Sequence, residues 1–76
     1  MTPLYKIGDE VEVYRAVGSK GNLPESKRVK GVIVSKYTVH YNRADVWCYV
    51  IKHPANWDRD KLIVGYYYED QLRRDG

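Results

Sequence analysis

The sequence predicts an all-β domain, a small barrel of four to five antiparallel strands with one short helical turn near the C-terminus. Three observations carry this. Apolar residues alternate at period two in short runs, β-branched and aromatic residues dominate those runs, and Gly, Pro, Asn and Asp cluster between them. No segment sustains a period of 3.6, and no stretch between the runs is long enough for a crossover helix, which leaves an antiparallel sheet rolled on itself. Seventy-six residues supply one hydrophobic core, so residues 1–76 form a single domain. A domain of this size buries only about 60% of its unfolded surface, and its stability is correspondingly modest.

Residues 1–6 are a lead-in. Gly8 and Asp9 mark a turn, Gly8 by its tolerance of positive φ and Asp9 by its capacity to bond nearby backbone. The following Val11-Glu12-Val13-Tyr14-Arg15 alternates as a half-buried strand does, with Val11 and Val13 toward the core. Residues 18–28 hold two Gly, one Pro and several small polar residues without periodicity, the mark of a long exposed loop. Val29 to Val39 is β-branched and long enough for a curved central strand, with Gly31 expected at a bend or bulge. A turn over residues 40–45 leads into a third strand from Val46 to His53, which Pro54 ends.

A polar loop with an exposed Trp57 follows. Lys61 to Tyr68 is the fourth strand, and parity sets Leu62, Val64, Tyr66 and Tyr68 on one face and Ile63, Gly65 and Tyr67 on the other. Glu69 to Leu72 reads as one helical turn anchored by Leu72, and residues 73–76 as a frayed tail.

Thirteen basic and ten acidic residues give a net charge of +3, with a pI of about 9.0. That balance suits solubility and falls short of the concentrated cationic field of a dedicated nucleic-acid binder. The single cysteine, Cys48, rules out an internal disulfide and leaves too few thiolates for a structural zinc site. Its apolar neighbours predict a buried strand residue. No run approaches a membrane span and the N-terminus lacks a signal-peptide segment, so a cytoplasmic, membrane-free protein is expected.

The order Gly8-Asp9-Glu10-Val11, Lys30-Gly31-Val32-Ile33-Val34, Tyr49-Val50-Ile51 and Val64-Gly65-Tyr66-Tyr67, with Leu72 beyond, resembles SH3-like barrels and covers most of the chain. Two families share the layout. The KOW-type barrels of ribosomal proteins and transcription elongation factors have a similar Gly-Asp-x-Val opening and Lys-Gly-x-Val strand, and that resemblance implies binding to RNA or to polymerase subunits. The chain departs from them in the insertion over residues 18–28. The plasmid-borne type II dihydrofolate reductases, tetramers with a shared pore, have a similar strand order. There Gly65 stands where the family carries a pore-lining Gln, so only Tyr67 carries over as a pore residue.

Candidate chemistry is sparse. No Ser/His/Asp or Cys/His arrangement is brought together by strand geometry. His40 and His53 read as surface histidines, and the carboxylates lack metal-site spacing. No catalytic residue, metal site or cofactor is therefore assigned, and the chain is not expected to be an enzyme. The aromatic content is more informative: eight Tyr, two Trp and no Phe suit half-buried contact surfaces. Tyr14, Tyr37, Tyr41, Trp57 and Tyr67 interleave with Arg15, Lys36, Arg43, Arg59 and Lys61, and we take Tyr14, Arg15, Lys36, Tyr37, Tyr41, Arg43, Trp57, Arg59 and Tyr67 as candidate binding residues. Such a set serves either a protein or peptide ligand or single-stranded nucleic acid. The aspartates flanking Arg59 favour the protein ligand, because they would repel phosphates. The opposing view is that the tyrosines simply pack cross-strand on the barrel exterior. A homo-oligomer is compatible with the small core.

Overall fold

The computed structural model describes residues 2–75; Met1 and Gly76, at the ends of the expected lead-in and tail, lie outside the described residues. The chain forms five antiparallel strands: β1 (Glu10–Val13), β2 (Val29–Tyr41), β3 (Ala44–Pro54), β4 (Leu62–Tyr68) and β5 (Leu72–Arg74). They make one sheet in the order β4-β3-β2-β1-β5. Two 3-10 turns, Glu25–Lys27 and Glu69–Gln71, are the only helical elements among the described residues. An all-β, antiparallel architecture is what the alternation predicts.

The core lies on one face of this sheet. Tyr5, Val11, Val13, Ile33, Tyr49, Ile51 and Leu72 form it, with Trp47 and Tyr67 packed against them. Val11 and Val13 point inward as expected, and Leu72 anchors the chain just after the second 3-10 turn. The lead-in is tied down as well. The Tyr5 ring meets Tyr49 edge-on at 5.5 Å, and its hydroxyl donates to the Leu72 carbonyl at 3.1 Å. Gly8 takes φ +96°, and the Asp9 carboxylate accepts from the Lys6 amide at 2.9 Å, so the turn uses the two residues that the sequence marks for it.

β2 is long enough to pair with β1 from Val29 to Val32 and with β3 from Val32 to Tyr41. The pairing register shifts between Ile33 and Ser35, so the irregularity in this strand falls at Val34 and not at Gly31. Gly31 answers a different need. A Cβ there would lie 2.6 Å from Ile51 Cγ2 and 2.6 Å from the Lys52 carbonyl oxygen, and glycine is what lets β2 cross β3 this closely.

The β2–β3 hairpin turns on Asn42 and Arg43, both at positive φ (52° and 66°). A two-residue turn with both φ positive matches strand twist. Ala44 and Asp45, expected in the turn, are consequently the first residues of β3.

Arg73 and Arg74 correct the expected frayed tail. They form β5 with Leu72 and pair with Glu12 and Val11 of β1. The physical reason is Glu12, which is buried and needs a counter-charge; Arg73 Nε donates to its carboxylate at 2.7 Å. The expected long loop does connect β1 to β2 and is exposed. It is pinned by Leu23, whose amide donates to the Tyr14 carbonyl at 2.6 Å and whose carbonyl accepts from Arg28 Nε at 3.0 Å.

Candidate functional site

Alternation along β2, β3 and β4 produces a second apolar surface, on the side of the sheet opposite the core. The register aligns Val32 with Lys52 and Val64, and Tyr37 with Cys48 and Tyr68; Val50 lies between Ser35 and Tyr66. These side chains share a face because the strand period is two. The face is uncovered. Val32 is 40% exposed, Val34 44%, Tyr37 38%, Tyr41 63%, Leu62 56%, Val64 50%, Tyr66 66% and Tyr68 39%. The Tyr41 and Tyr68 rings lie 6.3 Å apart.

Cys48 is buried, as its neighbours suggest, but it sits in this second face between Tyr37 and Tyr68, apart from the cluster around Tyr49 and Ile51. Burial pushes the Cys48 thiol up, offset in part by its hydrogen bond with Tyr37. A thiol held protonated in this way packs as a small hydrophobe.

The candidate binding residues divide among five places. Tyr37 and Tyr41 lie on the second face. Tyr14 and Arg15 follow β1 beside the second 3-10 turn, the guanidinium 5.8 Å from the Tyr14 ring centre and 3.6 Å from the Asp70 carboxylate. Trp57, 70% exposed, and Arg59 stand on the loop between β3 and β4. Lys36 lies on the core side of β2, its ammonium 5.8 Å from the Trp47 ring, and Arg43 occupies the hairpin turn. Tyr67 also lies on the core side. The expected single surface of interleaved cations and rings is therefore not formed; what the fold brings together is Tyr37 and Tyr41 with Tyr66, Tyr68, Leu62 and Val64.

Those last four residues are the functional candidates that the motif search misses. The signal for them was present: parity sets all four on one face of β4, while Tyr49 and Ile51 mark the opposite side of β3 as core. Two apolar faces on one strand mean that one of them lacks a partner within the chain.

His53 reverses its expectation as a surface residue. It continues the inward parity of Tyr49 and Ile51 and is buried. Its Nδ1 lies 2.9 Å from the Pro54 carbonyl, which accepts only, so Nδ1 carries the proton and Nε2 accepts from the Tyr67 hydroxyl at 2.7 Å. Both ring nitrogens are thus committed. The Tyr67 ring lies over Gly65, where a Cβ would come within 2.6 Å of it. Tyr67, the one candidate pore residue, is turned inward, and burial raises its pKa. His40 is exposed, with Nδ1 3.2 Å from the Asp45 carboxylate.

Two surface clefts lie away from the second face's centre. One, of about 440 Å³, is lined by Glu12, Glu25, Lys30, Arg73, Arg74 and Asp75. Its charges cancel, and Arg73–Glu12 and Lys30–Asp75 already pair within it, so it presents no net field to an ionic ligand. The other, of about 120 Å³, lies between the Arg15–Ser19 segment and the Tyr68–Gln71 turn. Among the described residues no cluster of His, Cys, Asp and Glu is arranged to hold a metal ion, and no helix is long and apolar enough to cross a membrane.

Comparison with protein-family models, with curated proteins and with solved structures returned no match.

Proposed function

We propose that this chain is a non-catalytic binding module of the SH3-like barrel type that recognises a protein or peptide through the outer face of β2, β3 and β4. The strand order β4-β3-β2-β1-β5, the long β1–β2 connection and the 3-10 turn leading into the last strand support the barrel.

One observation carries the binding role. The eight residues exposed by 38–66% on this face present roughly 800 Å² of largely apolar surface, at about 200 Å² for a large side chain. That exceeds the roughly 300–600 Å² of the largest patch on an ordinary monomer, and it equals what each partner contributes to a standard protein interface. The ligand chemistry follows from the composition. The register sets two charges of opposite sign, Glu10 and Lys52, on either side of Val32, while Tyr37, Val50 and Tyr66 have no charged partner across the strands, so the face suits a largely apolar, extended protein segment. Single-stranded nucleic acid would need several cations beside the rings, and those cations are dispersed elsewhere.

Selection of a displayed peptide library on the wild-type protein tests the proposal. The expected result is enrichment of apolar sequences whose affinity falls at least about tenfold with Val34→Asp or Tyr41→Asp, on the β2 side of the face, while both variants keep the native circular dichroism spectrum. No enrichment, or binders indifferent to both substitutions, refutes the role. Salt-sensitive binding of an oligonucleotide in place of peptides would favour the nucleic-acid reading instead.

A further inference from the structure

We infer that β4 pairs antiparallel with β4 of a second copy of this chain, about a two-fold axis through Gly65. The β4 end of the sheet has no neighbouring strand, so one row of its backbone donors and acceptors is left open up to Tyr68, whose N–H donates to Gln71 Oε1 at 2.8 Å. Which row follows from the contacts. The Lys61 carbonyl accepts from Ala55 on the β3 side, and Pro54, which has no N–H, stands opposite Leu62. The odd-numbered residues therefore bond to β3, and Leu62, Val64 and Tyr66 aim their backbone groups outward.

Soluble proteins blunt such an edge with a lysine, a proline, a bulge or a covering segment. Leu62–Tyr68 carries no charge, no proline and no irregularity in its pairing. The sequence is instead complementary to its own reverse. Centred on Gly65, Val64 meets the second copy's Tyr66 and Leu62 meets its Tyr68, which are the β-branched or aliphatic with aromatic pairs that stabilise neighbouring strands. Ile63 meets Tyr67 on the core side. A register moved by one residue would set outward-pointing groups against groups already bonded to β3, and moving it by two would leave a residue unpaired at each end.

This inference shares the β4 side chains of the binding face but not its ligand. The two copies extend each other's sheet, with both outer faces on one side, and the β2 half of each face stays open. Loss of the dimer and loss of peptide binding are therefore separate outcomes.

Sedimentation of the full chain at tens of micromolar tests it. The expected result is twice the 8.9 kDa chain mass, with Val64→Lys raising the dissociation constant at least about tenfold by placing a cation on the edge. In the Cys48→Ala background, mild oxidation of the paired Val64→Cys, Tyr66→Cys variant should trap a covalent dimer, because each new thiol faces the other type across the seam. Tyr41→Cys should trap none, because it lies on β2, two strands in from the seam, and the two-fold sets the two Tyr41 positions toward opposite ends of the joined sheet. The cross-link keeps the test decisive even if Val64→Lys unfolds the protein. A wild-type monomer, a dimer that Val64→Lys leaves intact in a folded variant, or trapping through Tyr41→Cys in place of the β4 pair would each overturn the proposal.

Discussion

Tyr49→Phe isolates one hydroxyl at the centre of the fold. The side chain is fully buried; its hydroxyl donates to Glu69 Oε2 at 2.6 Å and accepts from the Tyr5 amide at 3.4 Å. Glu69 also receives the Leu4 amide at 3.1 Å, so one phenol joins the lead-in, β3 and the second 3-10 turn. A hydrogen bond to a charged group contributes about 1.5–3 kcal/mol. Glu69 is only half-buried and regains water when the hydroxyl is removed, while the ring packing survives, which sets the net loss at about 1–2 kcal/mol. For a domain of this size that is a fall in Tm of roughly 5–15 °C.

Urea unfolding measures the loss directly, with an unchanged slope showing that the surface exposed on unfolding is the same. The alkaline limb supplies a second reading. Burial, and then the Glu69 carboxylate, raise the Tyr49 pKa well above the ordinary tyrosine range, whereas the unfolded chain ionises near pH 10. The folded state therefore holds the proton more tightly. Its contribution is complete below about pH 10 and is lost as pH rises beyond that. Stability should fall less steeply above that pH in Tyr49→Phe than in the wild type. A loss below about 0.5 kcal/mol, smaller than any ordinary hydrogen bond contributes, or an unaltered alkaline slope would refute this account.

Gly31→Ala should destabilise by about 1–3 kcal/mol in chemical denaturation, because the new methyl group meets the Lys52 carbonyl, which is backbone and cannot rotate aside. A neutral result would mean that β2 and β3 separate easily at this crossing. Arg43→Gly should act in the opposite direction, stabilising by about 1 kcal/mol through relief of a side chain held at φ 66°; a lower thermal midpoint would show that the arginine makes a contact worth more than the strain.

The parts of the fold that were legible are those that a single strand reveals by itself. Alternation marked Val11 and Val13 as inward and separated the two faces of β4, and turn chemistry located Gly8 and Asp9. What was not legible depends on a partner strand. Arg73 and Arg74 have no apolar signal and become a strand because β1 and the buried Glu12 lie beside them. The Val34 irregularity and the tight crossing at Gly31 are properties of two strands together, so the glycine was assigned the wrong task. The candidate site suffered from the same limit. Rings and cations that interleave along the chain alternate between faces in a strand, which placed Lys36 and Tyr67 on the core side and Tyr37 and Tyr41 on the other. His53 and the Tyr66–Tyr68 pair were readable from parity once the core side of β3 was known.

The pairing of β1 with β5 also governs how the molecule acquires its fold. Val13 lies beside Leu72, so this part of the sheet waits for a loop of about sixty residues to close, an entropic toll that slows chains dominated by distant contacts. Collapse of the β2–β3–β4 meander is local and has no such delay. β1 reaches β2 across residues 14–28 alone, so the late event is the arrival of the last strand beside the first.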